Sequence, residues 1–218
     1  MLETLDTEVM RAHRCYFGGG TAIVLGHGEY RESADIDLMT DTVHGYRELR
    51  SLVSTKGINA LFMSPPKLRR EVRIDQYRIY CALDVDGLPI KFELLHEVRL
   101  TLDPPQPATD ICEVPTLVPE DLAATKLMAN SDRWAADDVF SRDVIDLAML
   151  LPAGAIPDVA RAKALAAYGK SVERDLKKAV TALLAREGRL ERCMREMKMT
   201  LPLDELRQRL SALHFAQG

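Results

Sequence analysis

The 218-residue sequence predicts an α+β fold, with a mixed sheet and flanking helices in its first half and a helical bundle in its second. Three observations predict it. Apolar and polar residues alternate with a period of two in several stretches between residues 35 and 95. From Pro119 onward nearly every stretch has helical spacing. Between the two regimes lies a proline-bearing segment, Asp103-Pro104-Pro105-Gln106-Pro107. The change of pattern falls between residues 103 and 118, dividing the chain into an α/β domain over 1–110 and a helical domain over 111–218.

Each element has its own signal. Leu2, Leu5, Val9 and Met10 predict an amphipathic helix through about Arg14, leading into Cys15-Tyr16-Phe17. Gly18-Gly19-Gly20 stops it. Thr21-Ala22-Ile23-Val24-Leu25 starts a short helix with Thr21 near its N-terminus, and Gly26-His27-Gly28 closes that helix. In Asp35-Ile36-Asp37-Leu38-Met39 the alternation sets both carboxylates on one face of a strand and Ile36 and Leu38 on the other. A helix follows from about His44 to Ser54. The stretches Val72 to Leu83 and Ile90 to Leu95 flank a turn signal at Asp86-Gly87 and predict a hairpin. Helices are then expected over 119–130, 135–151, 157–168, 171–186, 188–198 and 202–214, punctuated by prolines and glycines such as Pro152, Gly169 and Pro202.

Composition narrows the function. The four cysteines are scattered without a Cys-x-x-Cys pair, and the five histidines are equally dispersed, so neither a zinc site nor a redox motif is signalled. Metal chemistry in this chain has to use carboxylates. The N-terminus lacks the basic and apolar regions of a signal peptide, and no segment approaches the roughly 20 apolar residues that cross a bilayer. A cytoplasmic location without membrane contact is expected. Residues 155–218 carry 13 Lys and Arg against 8 Asp and Glu, whereas the remainder carries 16 against 25. The acid is thus concentrated in the half that holds the paired aspartates, and the basic tail can offer phosphate contacts or simply solvated helix faces.

Phosphoryl-transfer sites that use two divalent cations need hard oxygen ligands, which magnesium prefers and manganese tolerates. Asp35 and Asp37 point the same way and can share an ion. Glu93 suits the role of third ligand, because an acid set between Phe92 and Leu94 is costly unless it faces metal or solvent. Asp84 and Asp86 fall in the turn, where aspartate has a local backbone reason to occur. The glycine run lets backbone approach a triphosphate and present N–H groups at a helix start. Arg31 and Ser33 offer a charge-assisted bond and a hydroxyl to phosphate, or a loop cap.

These residues carry a resemblance. Phe17-Gly18-Gly19-Gly20-Thr21-Ala22, then Arg31-Glu32-Ser33-Ala34-Asp35-Ile36-Asp37-Leu38, resembles the signature of the nucleotidyltransferase superfamily and, within it, the AbiEii/AbiGii toxin family. The 14 residues between Gly20 and Asp35 are slightly more than that family's spacing. Pro119 to Leu127, and Ser141-Arg142-Asp143-Val144-Ile145-Asp146-Leu147, are similar to its helical lysine and RDxxDL motifs. The likeness spans about residues 15–150. It implies a nucleotidyltransferase-like sheet and transfer of a nucleoside monophosphate from a triphosphate to an acceptor hydroxyl. It also implies two Mg²⁺ ions on Asp35, Asp37 and Glu93, and phosphate contacts from Gly18, Gly19, Gly20, Thr21 and Lys126. Asp143 or Asp146 would support activity. RNA, such as a tRNA end, is the implied acceptor, and a cognate antitoxin protein the implied partner. From physics alone Lys126 is one cation on an apolar helix, able to snorkel to the surface, and Asp143 and Asp146 share a helix face within reach of Lys126 or Arg133. A nucleotide- or RNA-binding module without turnover, and an aminoglycoside-type nucleotidyltransferase, are the competing readings.

Overall fold

The computed structural model describes residues 1–215. It is α+β and divides into two compact units: Met1–Ala22 with Ala34–Val118, and Ile23–Ser33 with the chain from Pro119 onward.

In the first unit a 3-10 turn (Leu2–Thr4) precedes α1 (Thr7–Ala12), whose N-cap Asp6 accepts a 3.0 Å bond from the Val9 amide. The helix expected from the first residues is therefore shorter, because Leu5 leaves the helical conformation to serve as an extended link. Strand β1 (Tyr16–Gly18) leads directly into α2 (Gly19–Gly26), within which the division between the units falls. Helix α2 begins at Gly19, two residues before Thr21. Strand β2 (Ile36–Thr40) starts one residue after Asp35, so the first of the paired aspartates stands just outside the strand. Helix α3 (Val43–Lys56) is capped by the Thr42 hydroxyl on the Gly45 amide at 3.1 Å and ends at Gly57 with φ +76°. It buries Tyr46, Leu49 and Val53, one stripe at helical spacing.

Strands β3 (Lys67–Ile74), β4 (Arg78–Val85) and β5 (Leu88–His96) form a three-stranded meander in place of the expected two-stranded hairpin. The extra turn is built by Asp75, whose carboxylate accepts from the Tyr77 and Arg78 amides at 2.8 and 3.0 Å. It breaks the Val72 to Leu83 run without glycine or proline. The sheet order is β1-β2-β5-β4-β3, with β2 and β5 parallel and the other pairs antiparallel. One face of the sheet is apolar: Phe17, Leu38, Leu94 and Ile79 lie in successive register and are fully buried.

In the second unit, α4 (Pro119–Arg133), α5 (Arg142–Leu150), α6 (Asp158–Tyr168), α7 (Ser171–Ala185), α8 (Arg189–Glu196) and α9 (Leu203–Ala212) follow the predicted punctuation. Helix α4 sits centrally and touches α5, α6 and α7. Helix α5 begins at Arg142, well after the expected residue 135. A 3-10 turn at Asp137–Val139 intervenes, and Phe140 and Ser141 are both left-handed, at φ +51° and +53°. No helix among the described residues is long and apolar enough to cross a membrane.

Candidate active site

The sheet face opposite the apolar one is polar, and the parallel pairing of β2 with β5 gives it its chemistry. Asp37 and Glu93 are register partners, side by side on adjacent strands, because both alternate with core residues: Ile36 and Leu38 flank one, Phe92 and Leu94 the other. Both are half-buried, and Asp35 is exposed. On the far side of β2, Gly18 is Asp37's partner across the antiparallel pair with β1.

The glycines act at specific points. Gly19 has φ +70°, and a Cβ placed there would lie 2.2 Å from Asp37 Oδ2. The Asp37 carboxylate thus occupies the space a side chain would fill at the first residue of α2, where the helix N-terminus favours an anion. Gly18 is tight for another reason, since its Cβ would meet Leu117 Cδ1 at 2.7 Å. Thr21 is buried two residues into the helix.

Lys91 completes this region, although no motif in the sequence singles it out. Its ammonium lies 2.5 Å from Glu93 Oε2, while Arg78 Nη1 approaches Glu93 Oε1 at 3.6 Å. Burial alone would lower the Lys91 pKa, but the bond to Glu93 and the charges of Glu93, Asp37 and Asp35 raise it. The available signal was its position two residues before Glu93, on the same strand face.

Lys91 also allows a test of whether magnesium suits these residues. A cation is already stabilised here by the field of Asp35, Asp37 and Glu93, and all three offer hard oxygen donors. Gly19 leaves the Asp37 carboxylate room at the helix start. Among the described residues no three His, Cys, Asp or Glu side chains converge closely enough to hold a metal as they stand. The three carboxylates thus supply oxygen donors of the kind magnesium takes, but they do not converge on one point, and the Lys91 ammonium provides the countercharge to Glu93.

Lys126, Asp143, Asp146 and Arg31 belong to the second unit and form a separate, buried ionic cluster. Lys126 Nζ lies 2.6 Å from Asp146 Oδ2 and 3.2 Å from Asp143 Oδ1. Arg31 grips Asp146 through two bonds of 2.7 and 2.9 Å, and the Tyr30 hydroxyl donates to the same carboxylate at 2.7 Å. Arg133 grips Asp143 at 2.6 and 2.9 Å. Asp143 and Asp146 lie one helical turn apart on α5 and Lys126 lies on α4, so two packed helices and the 23–33 segment supply every partner. Burial pushes the Asp143 pKa up, but the Lys126 charge and the Arg133 bonds outweigh it and hold the group at about 2. Asp146 shifts downward for the same reason, with burial opposed by Lys126 and Arg31. Burial and the neighbouring Asp146 drive Tyr30 upward, so it stays a neutral donor. Ser33 is half-buried at the end of the same segment. The role of Tyr30 had no sequence signal, because its partner is 116 positions away.

The family model described as nucleotidyl transferase AbiEii toxin, type IV TA system, matches residues 4–216. No curated protein matches the chain. Two solved structures from Helicobacter pylori resemble it, each at 17% identity over 94% of this chain. One is JHP933, covered over 83% of its length with a TM-score of 0.49. The other is assigned as a candidate nucleotidyltransferase, covered over 86% with a TM-score of 0.45. The family match takes in the glycine turn, the carboxylates, the helical lysine and the RDxxDL segment alike, and the chain belongs to the AbiEii nucleotidyl transferase toxin family of type IV toxin–antitoxin systems.

Proposed function

We propose that this nucleotidyltransferase moves a nucleoside monophosphate from a triphosphate to a hydroxyl of RNA, such as a tRNA end, using magnesium held by Asp35, Asp37 and Glu93. One observation carries the reading: Asp37 faces Glu93 across the parallel strands while its carboxylate sits against Gly19 at the start of a helix. In the reaction the acceptor oxygen bonds to the α-phosphorus, the bond from that phosphorus to the bridging oxygen breaks, and pyrophosphate leaves. Magnesium, when bound, neutralises the triphosphate and lowers the pKa of the acceptor hydroxyl.

The chain's own residues supply position and field. The Gly18 to Thr21 segment puts backbone N–H groups at the start of α2, where phosphate is favoured, while Gly19 gives the Asp37 carboxylate its room. Lys91, bonded to Glu93 as the structure stands, becomes available to phosphate once magnesium takes that carboxylate. In the second unit, Asp143 and Asp146 fix where the Lys126 ammonium sits, with Arg133 and Arg31 bonded to the same two carboxylates. A phosphate role for Lys126 rests on the motif it shares with the family, and Arg31 acts through Asp146. Ser33 remains a proposed hydroxyl contact. Membership of a toxin–antitoxin family supports a cognate antitoxin protein as partner.

The test is incubation with each labelled triphosphate, magnesium and total RNA. Label in an RNA band with wild type and none with Asp37→Asn is expected. Label on a small molecule instead would redirect the acceptor, and nucleotide binding without pyrophosphate release would replace the enzyme by a binding module.

A further inference from the structure

The polar sheet face extends past the carboxylates to the edge strand. Read along the register, Asp37 on β2 is followed by Glu93 on β5, Tyr80 on β4 and Arg73 on β3. The next row on the same face runs from Lys91 through Ala82 to Arg70, and a third pairs Asp84 with Lys67. The acid is therefore at the centre of the sheet and the base at its edge. Arg70 and Arg73 are exposed, and their guanidinium groups have no hydrogen bond or ion pair among the described residues. Between them and the carboxylates, the Arg78 guanidinium lies 4.7 Å from the centre of the Tyr80 ring.

We infer that Lys67, Arg70 and Arg73, with the Arg78–Tyr80 pair, form the track along which a single-stranded RNA acceptor reaches Asp37 and Glu93. Two exposed guanidinium groups meet phosphates, and an aromatic ring backed by arginine meets a base face, the combination that holds single strands without reading sequence. At the strand spacing of about 4.8 Å, Arg73 stands roughly 10 Å from Glu93. That is a length for a short single strand, on the order of three nucleotides, with its terminal hydroxyl at the carboxylates. The inference rests on the proposed transfer to RNA and says which surface presents the acceptor.

Charged residues on an edge strand also keep sheets from pairing with one another, a task that either sign of charge performs. The experiment therefore reverses the sign. Binding of a fluorescein-labelled ten-nucleotide single-stranded RNA to the full chain is followed by anisotropy across a salt series. Wild type is expected to bind, and Arg70→Glu/Arg73→Glu to bind at least tenfold more weakly, while keeping the wild-type elution volume and circular dichroism spectrum. The milder Arg70→Gln/Arg73→Gln is expected to lower the slope of log affinity against log salt by about 1.4, as for two lost phosphate contacts. Tyr80→Phe should keep affinity and Tyr80→Leu should lose it. Unchanged binding in both double variants, no binding by wild type, or preference for a duplex DNA of equal length overturns the inference. The two proposals separate by readout: the sign-reversed pair should lose RNA binding and transfer together, whereas wild-type binding through Arg70 and Arg73 with no label transferred overturns the transfer reading alone.

Discussion

Asp37 and Glu93 stand directly opposite each other on neighbouring parallel strands, although 55 positions separate them in the chain. Parallel pairing requires a long crossover, and here the crossover is α3 and two further strands. The pairing makes Glu93 the acid beside Asp37, rather than Asp84, which lies within β4 and not in the turn as expected, or Asp86, which does lie in the turn.

Gly19 is the point where this site tolerates least change. Gly19→Ala puts a methyl into the space of the Asp37 carboxylate and asks an alanine to hold φ +70°. A stability loss of about 1–3 kcal/mol is expected in urea unfolding. Transfer should fall at least a hundredfold, since the carboxylate has to move; retention of full rate would show that its position against the glycine is unimportant.

The Lys91 ammonium is bonded to Glu93 and lies in the field of Asp37 and Asp35, where the proposed magnesium would bind. Lys91→Met should therefore lower the Tm in chelator and enlarge the rise in Tm when magnesium is added, because the ion then has no competitor. Differential scanning fluorimetry with and without magnesium reads both. An identical magnesium-induced rise in wild type and variant would argue against competition.

Asp146 holds Arg31, Lys126 and the Tyr30 hydroxyl with no exposure to solvent. Asp146→Ala strands the buried Arg31 and leaves Lys126 with Asp143 alone, for a cost of about 3–5 kcal/mol. Lys126→Met should cost less, about 1–3 kcal/mol, because Arg31 and Arg133 still neutralise the two acids. Urea midpoints rank the two variants, and the opposite order would mean that Lys126 carries the cluster.

Acid should weaken the same cluster. Asp143 is depressed to about 2 from an unfolded value near 3.8. Its contribution is complete above the unfolded value and is lost as pH falls from there through about 2. Asp146, also shifted downward, adds loss of the same sign. Asp143→Asn should flatten the decline of stability between about pH 4 and pH 2, measured as the urea midpoint at each pH.

The legible parts of this molecule are those set by local pattern. Gly18-Gly19-Gly20, the alternation at Asp35 to Met39 and the Asp86-Gly87 turn announce themselves within a few residues, and the helix breaks after Pro119 follow Pro152, Gly169, Gly188 and Pro202. Elements that depend on one side chain or on distant partners were not legible. Asp75 makes a turn from its own carboxylate, so β3 merged with β4 in the periodicity, and two register shifts in β3 blur its alternation further. Residues 23–33 count with the second unit through interactions such as the Thr200 amide bonding to the Tyr30 carbonyl, which composition along the chain does not register. The left-handed Phe140 and Ser141 delay α5 in a stretch whose apolar spacing continues unbroken.

The alternation along β5 makes the enzyme's chemistry a matter of parity. Phe92 and Leu94 are fully buried, and Lys91 and Glu93 face the other way. Deleting one residue between Gly87 and Glu93 would exchange the two sets, driving an acid and an ammonium into the core and two apolar side chains onto the polar face. Lengthening the same loop by any number of residues before the strand pairs would leave the parity intact. Small in-frame deletions that abolish transfer should therefore concentrate within the strand itself, while the Asp86-Gly87 turn tolerates growth.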